Sequence, residues 1–163
     1  MSGRSPSDAA ETRDGAYLPP ASRILIPDAG VGVKWYVEEA DSEGAERLLD
    51  PGIERHVPSC FFTEAASVLQ RKVAVERMLT EAEGLEAFRL LRTVPLTIYS
   101  TESLLEDAFR LGVRYRHPVY DSLYLALAEA IGGRVVTADR RLYNGVHGGP
   151  LDHLVLWVTD PLG

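Results

Sequence analysis

The chain has 163 residues, enough to bury most of its unfolded surface around one core, so a single domain is expected. Its 17 Lys plus Arg stand against 24 Asp plus Glu, and the net charge of −7 argues against a broadly basic coat for nucleic acid. The one cysteine, Cys60, excludes an internal disulfide framework and a Cys-rich zinc site, and its place before Phe61 and Phe62 reads as a buried core thiol in a reducing cytosol.

Residues 1–22 are rich in Ser, Ala, Gly, Pro and charge. They carry no signal-type apolar core and read as a flexible N-terminal tail ahead of a domain at 23–163. No apolar run approaches the roughly 20 residues of a membrane span, so a soluble, cytoplasmic protein is expected. From Arg23 the pattern alternates: a strand at 23–27, helices at 30–37 and 42–50, and a strand at 54–57 after the stop signal Asp50-Pro51-Gly52. Helices follow at 60–76 and 80–92, a strand at 96–99, helices at 102–114 and 118–131, a strand at 134–137, a short helix at 139–144 and a last strand at 153–158. Such alternation predicts an α/β fold, a parallel sheet with helices on both faces joined by right-handed crossovers.

Ligands of an open parallel sheet bind outside the carboxyl ends of its strands. Asp28 ends the strand Ile24-Leu25-Ile26-Pro27, and Asp139 follows the β-branched run Arg134-Val135-Val136-Thr137-Ala138. Each also fits an ordinary helix N-cap. Glu64 and Asp121 lie inside helical patterns: Phe61 and Val68 flank Glu64 at helical spacing, and Asp121 shares a face with Tyr124, Leu125 and Ala128. Asp121 alone would also complement the dipole of the helix that Pro118 opens. A carboxylate on an apolar face is costly unless paired or bound to a metal, so four acids so placed point to one acidic pocket. Oxygen ligands with no His or Cys cluster suit Mg²⁺ or Mn²⁺ over zinc.

Four segments in this order resemble the PIN-domain family, most closely VapC-type toxin ribonucleases: Asp28 with Ala29-Gly30-Val31-Gly32-Val33-Lys34-Trp35, Val57-Pro58-Ser59 leading to Thr63-Glu64, Tyr120 to Ala128, and Val136 to Leu142. The likeness spans residues 23–160 and implies a three-layer α/β/α architecture with a central parallel sheet of about four or five strands. It also implies Mg²⁺- or Mn²⁺-dependent hydrolysis of RNA phosphodiesters, with Asp28, Glu64, Asp121 and Asp139 as the acidic metal-binding set and Thr137 as the hydroxyl that supports it. Two positions depart: Gly30 stands where many relatives carry Ser or Thr, and Ser67 where many carry Asn. Arg114, Arg116 and His117 precede Asp121, and Arg140 and Arg141 follow Asp139. The arginines are candidates to hold RNA phosphates, and each also suits a solvated helix end. His56, His147 and His153 sit in unrelated contexts and receive no chemistry.

The resemblance further implies an antitoxin protein that occludes the pocket. Phe61, Phe62, Val68, Leu69, Val73, Met78, Leu79, Leu85, Phe88, Leu90 and Leu91, on the helical pair at 60–92, form either an antitoxin groove, a homodimer contact or ordinary core. A PIN-fold protein that binds RNA without turnover and a stand-alone metal-dependent nuclease acting on DNA remain the alternatives.

Overall fold

The computed structural model describes residues 23–162, so the expected tail at 1–22 lies outside the described residues. Five strands form one parallel sheet in the order β3-β2-β1-β4-β5: β1 Arg23–Pro27, β2 Ile53–Pro58, β3 Thr97–Tyr99, β4 Arg134–Thr137 and β5 Val155–Trp157. Seven helices connect them: α1 Ala29–Val33, α2 Ser42–Glu46, α3 Phe61–Ala74, α4 Glu81–Leu91, α5 Thr101–Tyr115, α6 Val119–Ile131 and α7 Arg140–Val146. The chain winds outward from β1 to β3, then returns across the sheet to β4, and right-handed crossovers therefore put α1–α4 on one face and α5–α7 on the other. The three-layer expectation holds, with five strands.

Ile26, Val57, Val135 and Val136 are fully buried in the central strands, as continuous β-branched runs covered on both faces require. The most apolar helix, α6, contributes seven consecutive buried residues from Ser122 to Ala128, and Gly132, left-handed at φ 66°, closes its end. Gly32 marks the tightest seam. A Cβ there would stand 2.5 Å from the Phe61 ring, so α1 can lie on α3 only without a side chain at that point. Gly32→Ala should cost on the order of 1–3 kcal/mol by overpacking, measurable as a lowered urea midpoint with unchanged m-value.

Several elements are shorter than the sequence pattern predicts, α1, α2 and β5 among them. The helix expected at 30–37 ends at Val33, because Gly30, Val31, Gly32 and Val33 are weak helix formers and the Trp35 indole turns to donate to the Ala45 carbonyl at 2.9 Å. The helix expected at 42–50 tightens into a 3₁₀ turn at Arg47–Leu49, where the Arg47 guanidinium reaches the Val158 and Asp160 carbonyls. The last strand keeps only Val155–Trp157, preceded by a 3₁₀ turn at Asp152–Leu154. Among the described residues no helix is long and apolar enough to cross a membrane.

Candidate active site

Strands β1 and β4 are neighbours at the centre of the sheet, and the winding direction reverses between them. That switch point opens a crevice at the carboxyl edge. Asp28 and Asp139 stand there, one past the end of β1 and the other just beyond β4. Both cap helices as well: Asp28 Oδ1 accepts from the Val31 amide at 2.7 Å, and Asp139 Oδ1 from the Arg141 amide at 2.8 Å. The cap reading and the pocket reading are therefore compatible, since each carboxylate has a second oxygen. Thr137, fully buried at the end of β4, joins the two acids. Its hydroxyl donates to Asp28 Oδ2 and accepts the Asp139 amide at 2.9 Å.

Glu64 and Asp121 come from opposite layers. Glu64, in the first turn of α3, accepts the Tyr124 hydroxyl at 3.1 Å. Cys60, the residue just before α3, is half-buried rather than sealed in the core. Asp121, in the first turn of α6, faces Arg141, whose Nη2 lies 3.6 Å from Asp121 Oδ2 and 3.8 Å from Asp139 Oδ2. Asp28, Glu64, Asp121 and Asp139 all line one cavity of about 460 Å³.

The electrostatics agree with that convergence. Burial, opposed by the bonds from Thr137 and Val31 and reinforced by the charge of Asp139, pushes the Asp28 carboxyl up to about 6. Glu64 is raised by burial and by the charges of Asp28 and Asp121. Asp121 is raised by burial and by Asp139, while Arg141 and His117 pull the other way. Four mutually repelling carboxylates form a donor set of hard oxygens, which fits a divalent cation such as Mg²⁺ in kind. As the side chains lie, Asp28, Glu64 and Asp139 accept bonds from protein donors, and among the described residues no three His, Cys, Asp or Glu groups converge closely enough to hold an ion.

Of the arginines predicted to hold phosphate, Arg140 and Arg141 stand at this cavity, Arg140 also packing over the Trp157 ring at 5.1 Å. Arg114 lines a separate depression between α5 and α6, and Arg116 caps α5 in a left-handed conformation. At Gly30 a Cβ would lie 3.3 Å from Asp28 Oδ1, so the position touches the site directly. Ser67 is exposed and donates back to the Thr63 carbonyl, away from Glu64. His56 stays within β2, beside Tyr99 and Glu54.

Sequence reasoning missed Tyr124 as a partner of Glu64, and Lys34, Glu39, Arg71 and Lys72 as cavity residues. A signal for the last two was present. Val68, Arg71 and Lys72 follow Glu64 at four, seven and eight residues, one face of a helix. On the helical pair, Phe61, Leu69 and Leu91 are core, whereas Met78, Leu85 and Leu90 are exposed. A second cavity of about 420 Å³ between α3 and α4 is lined by Leu69, Val73, Leu85 and Phe88 among others.

A family model described as PIN domain matches residues 25–146. The chain belongs to the PIN-domain family. It is 37% identical to Ribonuclease VapC3 of Pyrobaculum aerophilum over 120 residues, covering 72% of this chain and 91% of that protein. Among solved structures the PIN fold recurs in PAE2754 from Pyrobaculum aerophilum, with a TM-score of 0.61, 15% identity and coverage of 90% of this chain and 92% of that one. It recurs again in a chain of a toxin-antitoxin complex from Klebsiella pneumoniae, with a TM-score of 0.54, 13% identity and coverage of 84% and 99%. The PIN-domain boundaries enclose all four acids and Thr137.

Proposed function

We propose that this chain is an endoribonuclease dependent on Mg²⁺ or Mn²⁺ and the toxin of a type II toxin-antitoxin pair. The observation that carries the reading is the meeting of four carboxylates from two strand ends and two helices in one cavity at the switch point of the sheet. Identity to a protein named as a ribonuclease supports it. Asp28 and Asp121 would bind the cation directly, Asp139 directly or through water, and Glu64 would both bind it and orient the attacking water. The cation, when bound, lowers the pKa of the attacking water and neutralises charge on the leaving oxygen. Thr137 fixes one oxygen of Asp28, and Tyr124 holds Glu64, so these acids meet the substrate with little freedom. Arg140 and Arg141 offset the repulsion between the acids and an incoming phosphate.

Purified protein should cleave RNA with Mg²⁺ or Mn²⁺ present and not in excess EDTA. Full cleavage in EDTA, after contaminating nuclease has been removed, would end this mechanism. A DNA strand of the same sequence, cut equally well, would favour the stand-alone nuclease; RNA binding without turnover would favour the regulatory protein.

The antitoxin belongs to the same proposal, with the apolar groove between α3 and α4 as its seat and a basic segment as its complement to an acidic toxin. So does a homodimer, for which the exposed stripe Leu105, Phe109 and Val113 on α5 offers apolar surface. Expression of the chain alone should arrest growth of a bacterial host, and co-expression of the neighbouring gene should relieve it. Harmless expression of active enzyme would remove the toxin assignment and leave the nuclease.

A further inference from the structure

The cavity that holds the four acids has a second, cationic part. Lys34, at the end of α1, and Lys72, on α3, both line it and both turn to one carboxylate: Lys34 Nζ lies 3.1 Å from Glu39 Oε1, and Lys72 Nζ 2.5 Å from Glu39 Oε2. The lysine side chains are only 11% and 6% exposed. Arg71, paired with Glu76 at 3.0 Å, stands at the rim, and Glu76 also lies 3.7 Å from Lys72. Three cations thus face two carboxylates, an excess of positive charge in a chain of net charge −7.

Burying an ammonium group costs several kcal/mol unless a partner offsets it; Lys34 also donates to the Ala40 carbonyl at 2.8 Å, whereas among the described residues Lys72 meets only the carboxylates of Glu39 and Glu76. Two lysines converging on one anion make a built anion seat, and Glu39 fills it. Glu39 lies in the irregular segment between α1 and α2, its backbone bonded to Ser42, and its carboxyl, raised by burial, is brought below the usual range by its two ammonium partners. Lys34 stands six positions after Asp28, about 9 Å at the helical rise, and the seat and the acids line one cavity.

We propose that Lys34 and Lys72 hold a backbone phosphate of the RNA strand flanking the cut, and that Glu39 is the internal occupant which this phosphate displaces. The acids alone would repel the strand; this pair supplies the attraction on their α1–α3 side, as Arg140 and Arg141 do beside α7. The inference rests on the ribonuclease reading.

The test is binding of a short single-stranded RNA to the full chain in EDTA, across 50–200 mM salt, for the parent, Lys34→Met and Glu39→Gln. Lys34→Met should weaken binding and reduce the salt slope by about 0.7, the value for one phosphate contact on a single strand. Glu39→Gln empties the seat of negative charge and should tighten binding about 3- to 10-fold at low salt, even where its melting temperature falls. A purely structural clamp predicts the reverse for Glu39→Gln: lower stability and unchanged or weaker binding. That result overturns the inference, as does an unchanged slope in folded Lys34→Met. If the parent cleaves RNA with Mg²⁺ and the variants fail in this way, only the inference falls. If the parent neither binds nor cleaves RNA, the ribonuclease reading falls with it.

Discussion

Asp28→Asn and Asp121→Asn should each lower metal-supported RNA cleavage on the order of 10²–10³-fold while metal-free stability holds or rises. The two effects separate because a clustered carboxylate is repelled by its neighbours until a cation arrives. At Asp28 the amide oxygen of Asn can still accept from the Val31 amide, so the cap survives, and the buried site no longer has to hold a charge. At Asp121 the variant gives up about 0.3–1 kcal/mol of favourable interaction with the α6 dipole and the attraction of Arg141 and His117, against relief of the burial cost of the charge and of repulsion from Asp139. Thermal melting with and without Mn²⁺, beside a cleavage assay, reads both quantities. Wild-type activity in both variants, with metal-induced stabilisation intact, would remove these acids from the site.

Metal-free stability should fall as pH rises from 4 to 7, against the usual trend for paired surface acids. Burial raises the folded carboxyl of Asp28 from 3.8 to about 6, so between those values the folded state binds more protons than the unfolded state. The linkage slope is then negative: stability is present in full at acid pH and is lost as pH rises toward 6, by on the order of 3 kcal/mol at most for this one group. Glu64 and Asp121, also raised, add in the same direction. Glu39, lowered by its lysines against the opposing effect of burial, and Glu83, lowered by its bonds from Thr80, oppose them, because their contributions are lost as pH falls through their folded pKa. Urea denaturation in EDTA at several pH values measures the sum, and Asp28→Asn should flatten it. Saturating Mg²⁺ at pH 7 should restore the lost stability, about 2.7 kcal/mol at a hundred times the dissociation constant. A parent and Asp28→Asn with the same slope would show that Asp28 carries no buried charge.

Much of this was legible in the amino-acid sequence. The alternation of β-branched runs with helical patterns determined a parallel α/β sheet, because strands buried on both faces must read as apolar blocks and the helices between them as amphipathic ones. The positions of Asp28 and Asp139 at strand ends, and of Glu64 and Asp121 on apolar helix faces, marked the candidate acids, because such placements are unfavourable without a partner. The lengths of α1 and α2 were not legible, since both end on contacts from elsewhere in the chain, the Trp35 indole on Ala45 and the Arg47 guanidinium on Val158 and Asp160.

Only the tertiary structure decided which groups meet. Pairing of β1 with β4, strands more than a hundred residues apart in the chain, sets Asp28 beside Thr137, and no local spacing encodes that register. It also decided that Arg141 rather than Arg114 faces the acids, and that two lysines from α1 and α3 share Glu39. A charge of either sign on a helix surface looks alike in sequence, whether it meets solvent or a partner. The packing of α1 on α3 and the crossing of α6 beneath β1 and β4 make that distinction, because they bring each of these charges within reach of its counter-charge and, for Lys34 and Lys72, bury it there.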